Sequence, residues 1–121
     1  MNKYTELSDF EINKKVAERL FLKFSDCYSV ILVDGESFDP CNNPADAMVI
    51  IIDYGISLIF DTGCKAWVAG IAYWVDGCEW QISYEVERMN QYRAAMELFL
   101  LMKDAENNNE TSSSNDDASI N

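Results

Sequence analysis

The chain contains no histidine. That removes the side chain that most often moves protons near neutral pH. It also excludes Ser-His-Asp and Cys-His nucleophilic arrangements. No catalytic residue is assigned, and the reading is a protein that is not an enzyme. Basic residues are scarce as well, with 9 Lys and Arg against 21 Asp and Glu and a net charge of −12. Such a surface repels duplex DNA and anionic membranes, so neither is expected as a partner. The partner it implies is a protein with a basic surface. Long apolar runs are missing too. Stretches such as Met48 to Ile52 are far below the roughly 20 residues that span a bilayer. The opening residues, Met1 to Glu6, lack the charged-then-apolar layout of a signal peptide, which points to the cytoplasm.

Cysteine is present but poorly placed for metal. Cys27, Cys41, Cys64 and Cys78 are far apart in sequence, whereas zinc ligands usually come in close pairs. Disulfides are not expected in a reducing compartment. The reading is four reduced thiols, most of them buried, with no metal and no cofactor.

What the chain does have is 49% hydrophobic residues in 121 positions, enough for one core. Ser8 and Glu11 form a capping-box pattern ahead of an apolar stripe at Ile12, Val16 and Leu20, so a helix is predicted over about Asp9 to Phe21. Tyr28 to Val33 reads as a strand ended by Asp34-Gly35, and Glu36 to Asn43 as a surface loop. Asn43-Pro44 is an N-cap followed by proline at the first helical position, opening a short helix that Gly55 ends. Three strands follow, joined at Thr62-Gly63 and Asp76-Gly77, the latter suited to a type I′ turn. Those turns would set Leu58 opposite Trp67, Ile56 opposite Ala69, Tyr73 opposite Trp80 and Ile71 opposite Ile82. Asn90 would cap a last, very apolar helix from about Gln91 to Ala105. Residues 107–121 are polar and acidic and are expected to be disordered. The order is α-β-α-β-β-β-α, an α+β domain over 1–106 with a small antiparallel meander packed by about three helices.

Four blocks of this chain stand in the order found in one family. They are Leu7-Ser8-Asp9-Phe10-Glu11-Ile12-Asn13, Asn43-Pro44-Ala45-Asp46-Ala47, Ile56-Ser57-Leu58 and Arg93-Ala94-Ala95-Met96. The chain resembles the NinX-like family of small tailed-bacteriophage proteins, a family of unknown function, over roughly Leu7 to Met102. Where that family carries Trp-Pro after the Ala-Asp-Ala block, this chain has Met48-Val49. The resemblance implies a phage accessory protein in the bacterial host cytosol and brings no catalytic residues with it.

Candidate sites are acidic or aromatic. Between Lys23 and Lys65 there is no basic residue, while Asp26, Asp34, Glu36, Asp39, Asp46, Asp53 and Asp61 fall there. That stretch could imitate nucleic-acid phosphate and block a host defence protein, or it could be ordinary solubilising charge. Asp34, Glu36 and Asp39 could hold a hard cation or serve a small-molecule site, although their spacing does not match an EF-hand loop. Trp74, expected opposite Glu79 on the polar face, could anchor an interface or be covered by a helix. Asn43 to Asp46 could bind an anion at a helix start, but Asp46 competes there and capping suffices. The apolar helix over 91–105 could also support a homo-oligomer. The tentative protein-binding set is therefore Asp34, Glu36, Asp39, Asp46, Asp53, Asp61, Trp74 and Glu79.

Overall fold

The computed structural model describes the backbone of residues 2–120 and the side chains of residues 2–108. Three helices and two small antiparallel sheets make an α+β fold. The order is α1 (Asp9–Arg19), β1 (Ser25–Cys27), β2 (Val30–Val33), β3 (Glu36–Ser37), α2 (Pro44–Asp53), β4 (Ser57–Asp61), β5 (Ala66–Val75), β6 (Glu79–Arg88) and α3 (Gln91–Ile120). One sheet has the order β1-β2-β3 and the other β4-β5-β6. Residues 107–121, expected to be disordered, fall outside the described side chains except Asn107 and Asn108, which continue α3 and are exposed.

α3 is the centre of the packing and touches α1, α2, β5 and β6. Its residues from Ala94 to Leu100 are all buried. They meet Ile12 and Val16 of α1, Ala47, Ile50 and Ile51 of α2, and Ala69 and Val86 of the second sheet in one cluster. The very apolar sequence of this helix is thus absorbed by the chain's own core. Leu98 is buried outright and Leu101 half-buried, so little of the 91–105 surface is left for a second copy.

The helix starts follow the local rules. Ser8 and Glu11 make both bonds of the capping box. Asn43 caps α2 with Pro44 behind it, and the Asn90 carboxamide oxygen accepts from the Tyr92 amide at 2.9 Å. The helix ends differ from one another. In α2, Gly55 takes the left-handed position (φ 65°), and the Ile56 amide donates to the Ile51 carbonyl at 3.0 Å, as in a Schellman cap. α1 ends the same way, with the Leu22 amide donating to the Ala17 carbonyl at 3.0 Å. Its left-handed residue is not glycine but Phe21 (φ 57°), 92% exposed.

The strands correct the sequence reading in four places. The expected strand over Tyr28 to Val33 is a hairpin, because Tyr28 (φ 50°) and Ser29 (φ 65°) both turn left-handed and Cys27 pairs with Val30. Glu36 and Ser37 are a third strand, not loop, because Asp34 (φ 53°) and Gly35 (φ 80°) make a second two-residue turn that pairs Val33 with Glu36. Asp76-Gly77 is not a type I′ turn. That type needs positive φ at both central residues, and only Gly77 (φ 72°) has it. Cys78 therefore joins the loop, Val75 pairs with Glu79, and the whole ribbon slips by one residue. Trp74 faces Trp80, while Tyr73 faces Gln81 and Ile71 faces Ser83. In the β4–β5 hairpin the loop is two residues longer than expected, so Leu58 faces Ala69 and Phe60 faces Trp67. A shift of two keeps every side chain on its expected face.

A bulge then bends the second sheet. Ala69 pairs with Val86 and Ile71 with Ser83, so Gly70 stands against two residues of β6, Tyr84 and Glu85. A Cβ on Gly70 would sit 2.4 Å from Ile82 Cγ2, so only glycine fits this crossing. β4 pairs with β5 no further than Gly70. Beyond the bulge, β5 and β6 continue as a two-stranded ribbon.

Phe21 should be an inexpensive residue to replace. A left-handed non-glycine residue costs about 1–2 kcal/mol. Phe21→Gly is expected to raise the unfolding free energy by roughly 1 kcal/mol in urea denaturation. An unchanged or lowered midpoint would show that the Phe21 ring makes a contact worth more than this strain.

Candidate functional site

Two regions carry polar or aromatic groups beyond what the fold's hydrophobic core requires. The first is a lock between α1, the loop before α2, and α3. Arg93 donates to Asp9 at 2.7 Å, to the Leu7 carbonyl at 2.7 Å, to the Tyr4 carbonyl at 3.0 Å and to Glu97 at 2.6 Å. Glu97 is fully buried and also accepts from Arg88 at 2.7 Å and Asn2 at 3.1 Å. Burial alone would raise the Glu97 carboxyl, but the bonds from Arg88, Arg93 and Asn2 overcome it and hold it below its ordinary value. Asp9 is depressed in the same way, by Arg93 and Asn42 acting against burial.

The loop joins this lock through amides. Asn13 donates to Asp39 at 2.7 Å and accepts from the Cys41 amide at 3.1 Å. Asp46 accepts from the Asp39 amide at 2.9 Å. Asn90 donates to the Cys41 carbonyl at 2.8 Å. Asp9, Asn13, Asp39 and Asn42 border a cleft of about 230 Å³ that Phe10, Val30 and Phe38 help to line. Their polar atoms are largely spent on one another, which makes them architecture first.

The second region is the two-stranded ribbon. Trp80 is 68% exposed and Trp74 51%, and Tyr73 and Tyr84 are about half exposed. The Trp74 and Trp80 rings meet edge-on, with centroids 5.5 Å apart. Such a contact contributes about 0.5–1.5 kcal/mol beyond area burial and holds both rings in place. Consecutive residues Ala72, Tyr73 and Trp74 are all exposed, and so are Glu79, Trp80 and Gln81. Both faces of the ribbon are therefore open to solvent. Asp76 and Glu79 stand at the same end of the ribbon as the rings, Glu85 and Glu87 lie further back along β6, and no basic residue lies between Lys65 and Arg88.

The expected site residues separate accordingly. Trp74 and Glu79 lie on the ribbon, although Trp74 faces Trp80 and Glu79 bonds to Gln81 at 3.0 Å. Asp34 and Glu36 are exposed on the β2–β3 hairpin, and Asp53 is exposed at the end of α2. Asp39 and Asp46 are turned into the lock. Asp61 ends β4 and accepts from the Gly63 amide at 2.9 Å. Among the described residues, the ligand atoms close enough to share an ion are those of Asp61, Cys64 and Glu87, within 4.8 Å of one another. They are not those of the Asp34–Asp39 loop. Three of the four thiols, Cys27, Cys64 and Cys78, are exposed, against the expectation that most were buried. Each stands in or beside a turn, where the chain has no layer to cover it. Only Cys41 is buried, and burial pushes its thiol upward.

The pattern missed Tyr73, Trp80 and Tyr84 because a one-residue register error put Trp80 on the buried face. A signal that could have drawn attention there is the absence of basic residues between Lys65 and Arg88. It also missed an outward apolar stripe on α2, formed by Ala45, Met48, Val49 and Ile52 at helical spacing.

The sequence model of the family described as Bacteriophage P22, NinX, matches residues 3–103. The chain belongs to the NinX family. No curated protein and no solved structure matches it. The match spans the lock and the ribbon alike. Asp9, Asn13, Asp46 and Arg93, from the blocks that carried the resemblance, all bond within the lock. Among the described residues, no helix of this NinX-family protein is long and apolar enough to cross a membrane.

The lock sets an acid limit on the fold. A carboxyl depressed by folding contributes stability above its unfolded value, and that contribution disappears as pH falls through the folded value. Glu97→Gln should lower the unfolding free energy at pH 7 by about 3 kcal/mol, since it leaves two arginines facing a neutral group. The gap from wild type should narrow as pH drops below 4.5, the ordinary value for this carboxyl. Denaturation curves at pH 7 and at about pH 3 measure it. A gap independent of pH would assign the loss to packing instead of charge.

Proposed function

We propose that this phage accessory protein acts by binding and not by catalysis, and that its partner is a host or phage protein with a basic surface. The observation that carries the reading is the ribbon beyond Gly70, which exposes both faces and presents Trp74 and Trp80 beside Asp76 and Glu79. An isolated two-stranded hairpin is marginal in water, so exposed tryptophans on one are costly to maintain without a use. Tryptophan and tyrosine are the residues that most often anchor interfaces. The surrounding carboxylates would speed encounter with a cationic surface and repel an acidic one. They also oppose pairing of this ribbon with a second copy of itself.

The role that suits such an arm is inhibition. An acidic, aromatic element seated on the nucleic-acid-binding face of a host defence protein would exclude the nucleic acid. The exposed carboxylates Asp34, Glu36 and Asp53 would add to the field that steers the partner. Asp39 and Asp46 would not, because their oxygens serve the fold.

The test is affinity capture from phage-infected host lysate, treated with nuclease, at two salt concentrations. A partner should survive nuclease and be lost as salt rises. The double variant Trp74→Ser, Trp80→Ser should reduce its recovery by about tenfold or more. Its thermal midpoint should move little, because both rings are more than half exposed. Equal recovery with the double variant would sink the proposal.

A further inference from the structure

The few cations of this chain are unevenly spread. Five of the nine, Lys3, Lys14, Lys15, Arg19 and Lys23, lie in the first 23 residues. Lys3, Lys15 and Arg19 line one open cleft of about 420 Å³, completed by Tyr4, Leu7 and Glu18. Against a net charge of −12, this cleft is locally positive.

Its donors already show what they can hold. The Tyr4 hydroxyl at 2.5 Å, Lys3 at 3.2 Å and one end of the Arg19 guanidinium converge on the carboxylate of Asp104. The other end of that guanidinium, Nη1, is buried and has no hydrogen-bond partner among the described residues. Lys15 makes no ion pair among the described residues and is exposed at the rim. Donors and positive charge therefore exceed the acceptors that the chain supplies here. Buried donors left unpaired are rare enough in folded proteins to call for an explanation.

We propose that this cleft binds the phosphate group of a small phosphorylated molecule. A phosphate offers three strong acceptor oxygens and about two negative charges, which suits the ammonium groups of Lys3 and Lys15 beside the positive charge of Arg19. The cleft volume falls within the roughly 300–1,000 Å³ of small-molecule sites. A nucleic-acid strand is a poor occupant, because its phosphates beyond the cleft would meet an acidic surface. The site is separate from the β5–β6 ribbon and stands or falls without it.

Titration of the isotope-labelled full chain by NMR, at about 150 mM KCl to screen the bulk field, tests the proposal. Inorganic pyrophosphate and AMP are the two probes. Either should give saturable shifts confined to residues 3–7 and 15–19. Tighter AMP binding would identify a nucleotide as the source of the phosphate, and tighter pyrophosphate binding an inorganic one. Lys15→Gln should weaken binding about tenfold, as expected for one charge-assisted bond, with the rest of the spectrum unchanged. Lys65→Gln, in the β4–β5 turn, should bind like wild type. The proposal is overturned by absence of saturation up to about 20 mM of either probe. It is equally overturned if Lys15→Gln binds like wild type, or if shifts scatter over the surface.

Discussion

Glu97 is the residue on which the rest of this fold turns. It lies within the buried stretch Ala94–Leu100 of α3, fully buried itself, and it is tolerable there only because Arg88 and Arg93 neutralise it. Removing a charged group from water costs several kcal/mol, and the cost is met only by well-made bonds. Those bonds tie three parts of the chain together. Arg88 is the last residue of β6, Arg93 stands in the first turn of α3, and Asn2 comes from the N-terminal segment. Arg93 goes on to gather the carbonyls of Tyr4 and Leu7 and the carboxylate of Asp9. The start of α3 is therefore fixed against the start of α1 by charge and not by packing alone. An apolar replacement would fill the space but would not dictate which segments meet.

That arrangement explains how much of the fold was legible. The capping box at Ser8 and Glu11, the Asn43-Pro44 start and the Asn90 cap are local bonds between near neighbours, and each forms where the sequence places it. The buried faces of α1 and α2 follow helical spacing for the same reason. The errors sit at turns. Asp76-Gly77 carries the strongest hairpin signal in the chain, yet only Gly77 goes left-handed and the loop takes in Cys78. Tyr28-Ser29 carries no turn signal at all and nonetheless makes a two-residue hairpin. Backbone conformation there is set by what the flanking strands pair with, and pairing is a long-range property that dipeptide preference does not encode.

The candidate sites were legible to a lesser degree. Charge density along the sequence identified acidic stretches correctly, but it could not say which carboxylates face outward. Asp39 and Asp46 look like the others in sequence, and both are internal acceptors in the structure. Trp74 was placed on the exposed side for a reason that did not hold, since its neighbour is Trp80 and not Glu79. The single-residue slip that caused this also concealed Trp80. Had the turn been two residues long, the register would have set the two rings on opposite faces of the ribbon. An extra loop residue is what brings both to the same open face.

The charges outside the core follow from the charges inside it. Among the described residues, Arg19, Arg88 and Arg93 make ion pairs within the chain, as do Lys3, Lys14 and Lys103. Most of a small supply of cations is thus paired within the chain, and Lys3, Arg19 and Arg93 tie α1, α3 and the N-terminal segment together. Exposed carboxylates such as Asp34, Glu36, Asp76 and Glu79 are left on the hairpins and the ribbon. Five of the nine cations fall in the first 23 residues, whereas the ribbon with its exposed aromatics carries none. A basic partner approaching this surface would meet attraction at the ribbon and opposition near Lys15 and Arg19. In the proposed complex, that difference in charge would orient the partner before contact.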